Sequence, residues 1–154
     1  MNIFALHIDP KTCASLHADK HVVKMILETA QMLCAAHEPG FAPYKRTHYN
    51  HPCTQWARKT TANYDWLCRL GLALCDEYTR RYGRRHKSQD VIEWCEECIP
   101  DAVPLGKLTP FAQAMPDEFK CVDNPIQAYK AYYRYKIETL QLKYEKSLYN
   151  LSIL

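Results

Sequence analysis

Residues 17–31, HADKHVVKMILETAQ, place His17, His21, Lys24, Glu28 and Gln31 at the i, i+4, i+7 spacing that in most helices carries an apolar stripe. At 100° per residue the five fall within an arc of roughly 80°. Val22, Val23, Ile26, Leu27, Ala30 and Leu33 lie beside this polar arc. The pattern predicts a helix with one side in a core and the other against something polar, at the centre of a mainly α protein.

Upstream, MNIFALHI alternates loosely and is rich in β-formers, which predicts a short strand or extended segment. Asp9 followed by Pro10 makes an N-cap and N1 pair, opening a helix that runs to about His37 with a break near Ala18 and Asp19. Downstream, EPG stops it, and FAPYKRTHYNHPC (41–53) reads as a loop mixing aromatic and basic residues. Thr60, Thr61 or Asn63 caps the next helix, where Trp66, Leu67, Leu70, Leu74 and Tyr78 repeat at helical spacing up to a terminating Gly83. Ser88 caps a shorter helix through Cys98. From Ile99 to Asn124 prolines recur and no periodicity survives, so this segment is either a lid or a packed connector. Asp123 or Asn124 followed by Pro125 restarts a helix through about Ser147. The expected architecture over residues 1–154 is one compact helical bundle with a short extended N-terminal segment and a long Pro-rich loop.

The composition excludes several classes. With 47% hydrophobic and 24% charged residues the chain is globular rather than disordered. Four glycines, none in a GxGxxG or GxxxxGK[ST] pattern, exclude Gly-rich phosphate loops. No run of 18 apolar residues occurs, and the N-terminus lacks a basic stretch followed by an apolar one, so no membrane association is expected. The expectation is a cytoplasmic monomer, in the host cytoplasm if the protein is viral, with its eight cysteines as thiols.

The net charge of +3 is weak, but its distribution is not even: TRRYGRRHK (79–87) and YKAYYRYK (129–136) are basic, IEWCEEC (92–98) acidic. Basic residues interleaved with tyrosines contact phosphates and offer stacking faces; the alternative is a solvated helix face with some tyrosines packed inward. The polar arc has three uses. His17 and His21 share the spacing of helical zinc ligands, although HEXXH is absent. Lys24 and Glu28 at i, i+4 fit a structural network. One carboxylate among histidines and a lysine also suits acid–base or electrostatic chemistry. Cys95 and Cys98 form one CxxC, to which Cys121 could add a third ligand, but a second pair is missing. Neither metal nor cofactor is expected. With Tyr44, Lys45, Arg46, His48 and His51 following the first helix, a damaged or extruded base in DNA, or a nucleotide, is the substrate class that fits.

These blocks resemble the pyrimidine-dimer DNA glycosylase/AP lyase family, the small helical enzymes of the phage endonuclease V type. DKHVVKMILE (19–28) is similar to the family's Asp-x-His segment with its glutamate seven residues after the histidine. ALHIDPK, YNHPCTQWAR (49–58), DEYTRRYG and AYKAYYRYK are similar to four further family blocks, in the same order. The resemblance implies attack of the N-terminal amine on the sugar C1′, displacement of the pyrimidine, an imine, and strand cleavage by β-elimination. An α-amine titrates at about 7.7–8.0 in model peptides, so no lysine is needed. By the same resemblance Met1 supplies the amine, Asn2 disfavouring its removal. Glu28 stabilises the sugar cation and moves the elimination proton, and His21 orients the sugar or a phosphate. Asn2, His17, Lys20, Lys24, Gln31, Lys45, Arg46, His48, His51, Tyr129, Lys130, Tyr132, Tyr133 and Arg134 are the implied DNA contacts. Leu27 and Gln31 stand where the family carries arginines, which implies an altered lesion or modified pyrimidine. The rival classes are a non-catalytic nucleotide- or DNA-binding module and a different nucleotide- or base-modifying enzyme.

Overall fold

The computed structural model describes residues 1–147 and Leu154. Six helices follow in order: α1 (Pro10–Ser15), α2 (Asp19–Cys34), α3 (Pro52–Ala57), α4 (Thr61–Tyr82), α5 (Gln89–Glu97) and α6 (Pro125–Leu140), with a 3-10 turn at Asp117–Phe119 before the last. Among the described residues no strand forms.

Helix α4 is the centre, packed against α1, α2 and α5, while α2 also meets α3 and α5. Its ends are chemically marked. Thr60 accepts the Asn63 N–H at the start, and Gly83 adopts φ 70° at the end, returning its N–H to Thr79 O at 2.8 Å. All five of its expected core residues are buried. Gly71 permits the close approach of its neighbours: a Cβ there would lie 2.9 Å from Thr29 Cγ2 and 3.0 Å from Ile92 Cδ1. Glycine is required at this crossing for space.

The N-terminal segment is not a strand. Ile3, Phe4, Ala5 and Leu6 are buried, yet Phe4 turns into the left-handed region at φ 50°. Its backbone groups bond to side chains instead of a neighbouring strand: Ile3 and Phe4 N–H to Asn2 Oδ1, and Leu6 N–H to Cys13 Sγ. The break between α1 and α2 falls at Leu16–Ala18. Helix α2 stops at Cys34, short of His37, and α6 stops at Leu140, where Gln141 takes φ 50°, rather than reaching Ser147. Helix α3, capped by His51 with Pro52 in its first turn, begins at the end of the expected loop and runs beyond it. Arg81 ties the base together: its buried guanidinium pairs with Asp19 (3.1 Å) and Glu77 (2.8 Å) and donates to the Ser15 and His17 carbonyls.

Candidate active site

The chain's first atom meets the carboxylate of α2. Met1 N lies 3.3 Å from Glu28 Oε1, with the Met1 side chain 2% and the Glu28 side chain 12% exposed. Met1 as a residue is nonetheless partly exposed, so its open atoms are those of the main chain. Glu28 Oε2 is buried without a hydrogen-bond partner. A carboxylate this enclosed is tolerable when paired, and among the described residues the ammonium is its one ion-pair partner. Asn2 fixes the end in place. Its Oδ1 accepts from Ile3 N, Phe4 N and Tyr129 Oη, and its Nδ2 donates to Ala114 O in the Pro-rich segment at 2.8 Å.

His21 lies on the same face of α2 two turns earlier, about 10 Å along the axis from Glu28. Its Nδ1 is 2.9 Å from the Tyr133 hydroxyl, which also accepts the Ala18 N–H at 2.7 Å. The ring stacks on Phe4 at 4.6 Å. Burial, with His17 and the ammoniums of Lys136, Lys24 and Lys20 adding to it, pulls its pKa down to about 3. His21 is therefore neutral at physiological pH, and any contact with a phosphate uses a neutral donor rather than an imidazolium. Lys136 sits 5.7 Å from the Phe4 ring centroid and 5.2 Å from that of Tyr132; burial and Lys24 lower its pKa. A cavity of about 630 Å³ alongside is lined by Lys20, Lys24, Lys143 and Lys146 with Tyr82 and Asp19.

On the other flank His51 caps α3, its Nδ1 accepting the Cys53 N–H at 3.1 Å, which leaves Nε2 as the proton-bearing nitrogen of the neutral ring. Burial lowers the His51 pKa, the Met1 ammonium lowers it further and Glu28 opposes, so α3 belongs to the same electrostatic neighbourhood. The Cys53 thiol is buried, and burial raises it to about 11, which makes it inert. Beyond His51, Tyr49 is held between two guanidiniums, Arg46 at 4.1 Å and Arg58 at 3.6 Å from its ring centroid. Lys45 and His48 are exposed nearby in sequence, and Gln31 is half-buried on α2.

Several expected contacts have other occupations. His17 precedes α2, so the polar arc begins at His21; the ring is 0% exposed, its Nδ1 is on Cys13 O at 2.8 Å, and burial takes its pKa to about 4. It is enclosed away from any substrate. Tyr129 and Tyr133 are also 0% exposed and offer no stacking face. Their hydroxyls bind the N-terminal segment and the α2 start. Asn2 directs its Oδ1 and one Nδ2 hydrogen at internal partners, so it holds the chain end instead of the substrate. Tyr132 is partly open, stacked near Phe4 and Phe119. Arg134 bonds to the Leu154 carbonyl, and no hydrogen bond or ion pair links Lys130 or Arg134 to Met1 or Glu28. Val23 and Leu27, expected among the apolar surface, are 38% and 43% exposed, leaving Leu27 beside Glu28 on the open face. Cys95 faces Cys34 at 3.8 Å while Cys121 is exposed, and among the described residues no three His, Cys, Asp or Glu side chains group as a metal requires. Among the described residues no helix is long and apolar enough to cross a membrane.

Sequence reasoning passed over Lys136, Tyr49 and Arg58. Lys136 follows Tyr129, Tyr132 and Tyr133 at i+7, i+4 and i+3, a spacing that marks one helix face. The Tyr49 sandwich has no such signal, because its arginines come from either side of a loop.

A family profile described as pyrimidine dimer DNA glycosylase matches residues 1–90 of the 154. The matched span carries the N-terminal segment, α1 to α4, Met1, His21, Glu28 and His51. No match is found among curated proteins or solved structures.

Proposed function

Because the chain belongs to the pyrimidine dimer DNA glycosylase family, we propose that it excises a damaged or modified pyrimidine from double-stranded DNA and then cleaves the strand as an AP lyase, working as a metal-independent cytoplasmic monomer. The observation that carries this reading is the 3.3 Å approach of Met1 N to Glu28 Oε1. The neutral amine attacks C1′ as the C1′–N glycosidic bond breaks, and the displaced base leaves with its electron pair. One proton of the attached nitrogen passes to O4′ as the C1′–O4′ bond breaks, which opens the sugar ring and gives a protonated imine between Met1 N and C1′. Glu28, its second oxygen unpartnered, stabilises the positive charge on the sugar. It then accepts a proton from C2′, the electrons form the C2′–C3′ double bond, and the 3′ phosphate departs. The imine nitrogen is the electron sink, so these steps need no Lewis acid.

His21 orients the sugar as a neutral ring, with Nδ1 engaged by Tyr133 and Nε2 left for the substrate. Lys20, Lys24 and Lys136 on one flank and Arg46 and Arg58 on the other hold the phosphates, with His51 close to the reacting sugar. Exposed Leu27 takes the place of a charged phosphate contact beside Glu28, which favours a lesion other than the usual dimer. The test is borohydride trapping on abasic and dimer-containing duplexes. An imine yields a covalent adduct that disappears when the N-terminus is blocked. Tight, salt-dependent binding with neither adduct nor cleavage would replace the enzyme with a binding module.

A further inference from the structure

The Pro-rich segment has no part in the chemistry above, yet it reaches the chain end. Tyr129 Oη lies 2.6 Å from Ala112 O and 2.9 Å from Asn2 Oδ1, and accepts the Ala114 N–H at 3.2 Å. Asn2 Nδ2 donates to Ala114 O at 2.8 Å. The orientation of the Asn2 amide follows from its partners. The atom facing two backbone N–H groups must be the oxygen, and the atom facing a carbonyl must be the nitrogen. Asparagine is the residue that serves both, since aspartate lacks the donor and alanine lacks everything.

Chain ends ordinarily fray unless something ties them down. Here residue 2 is tied by its side chain to α6 and to the segment before it, and residue 1 is tied by a side chain that is 2% exposed. The amine therefore stands between two anchors, with one peptide unit, about 3.8 Å from Cα to Cα, separating it from the hydrogen-bonded one. The Cys53 thiol, 4.0 Å from the Tyr129 hydroxyl, closes the underside from α3. Nothing in this arrangement requires the segment to open. Tyr129 is 0% exposed, and its hydroxyl is committed to internal partners.

We propose that Asn2 and Tyr129 are positioning residues, which with the Ala112–Ala114 backbone of the Pro-rich segment form a latch that holds the Met1 amine at the attacking position. The segment is then part of the nucleophile's mount and not a lid. This inference rests on the amine-nucleophile reading. A misplacement of about 1 Å costs on the order of 100-fold in rate, so a loosened latch acts on chemistry and leaves DNA binding alone.

The experiment uses the full chain with Asn2→Asp and, separately, Tyr129→Phe, Met1 retention being verified by intact mass. Three quantities are measured: the single-turnover borohydride trapping rate at saturating abasic DNA, the Kd for that DNA, and the rate at which an aminopeptidase releases Met1. The latch predicts that trapping slows about 10- to 100-fold, Kd moves less than about twofold, and Met1 release accelerates at least about tenfold. Trapping within twofold of wild type in both variants overturns it, as does a loss of trapping that merely tracks lost affinity. If wild type itself traps nothing, the nucleophile reading fails, and Met1 release alone decides whether the latch exists. Should Tyr129→Phe fail to fold, Asn2→Asp carries the same three readouts.

Discussion

Removing one oxygen atom, by Tyr133→Phe, gives a sharp test of how the start of α2 is built. The hydroxyl serves two partners, the Ala18 N–H at 2.7 Å and His21 Nδ1 at 2.9 Å, and Tyr133 is 0% exposed. Ala18 is the N-cap of α2, and the Tyr133 hydroxyl is the acceptor that its N–H meets. Each buried polar group left unsatisfied costs about 1–3 kcal/mol, so the two together place the loss at about 2–6 kcal/mol. That is a sizeable fraction of the 5–15 kcal/mol typical of a domain. With a urea m-value of about 2 kcal/mol/M the midpoint should fall by about 1–3 M at unchanged m. The measurement is urea unfolding followed by circular dichroism. Tyr132→Phe serves as the control, because the Tyr132 ring is partly exposed and its contacts are through the ring face, to Phe4, Phe119 and Lys136. It should stay within about 0.5 kcal/mol of wild type. A Tyr133→Phe midpoint within about 0.3 M of wild type, at the same m-value, would refute the reasoning that this hydroxyl closes the α2 start.

Glu28→Gln should keep DNA affinity within about threefold and lose at least about 100-fold in strand cleavage; a variant as active as wild type contradicts the assigned role. Replacing Lys24 or Lys136 by Ala should weaken DNA binding and make the slope of log K against log salt shallower by about 0.9 each. An unchanged slope removes that face from the interface. His17 and His21 have folded-state pKa values of about 4 and about 3, below the ordinary 6.5, so the unfolded chain takes up protons that the native state refuses. Stability is thus greatest above pH 6.5 and falls as pH drops from there toward 4, by about 1.4 kcal/mol per pH unit for each ring. In His17→Gln, urea unfolding between pH 4.5 and 6 should show a slope smaller than wild type by about that amount; equal slopes would mean His17 titrates normally.

Helix identities were readable where capping chemistry and periodicity agree, as in α4 with Thr60, Gly83 and its buried apolar repeat. The proximity of Met1 and Glu28 came from resemblance, since no local rule links an end of the chain to a helix 27 residues later. His17 was misplaced because the arc was projected through a helix break. Leu16 N–H bonds to Thr12 O and Cys13 O, closing α1, and the phase restarts at Asp19. The tyrosines of α6 failed for another reason: AYKAYYRYK puts aromatic residues on too many sides for any phase to be chosen. What selects Tyr129 and Tyr133 for burial is their hydroxyl partners, Asn2 and Ala18, more than a hundred residues away. Helix α3 was missed although His51 and Pro52 carry its start signal, because a six-residue helix has too short a period to register.

The absence of a side chain at Gly71 has a mechanical meaning for the pair formed by Met1 and Glu28. Thr29, whose methyl group would collide with any Cβ there, is the neighbour of Glu28 in a hydrogen-bonded rod. A wedge at position 71 would lift that rod, and the carboxylate would ride outward with it, away from a terminus anchored on different supports. The gauge of the amine–carboxylate gap is therefore set from behind, by room reserved for a single hydrogen.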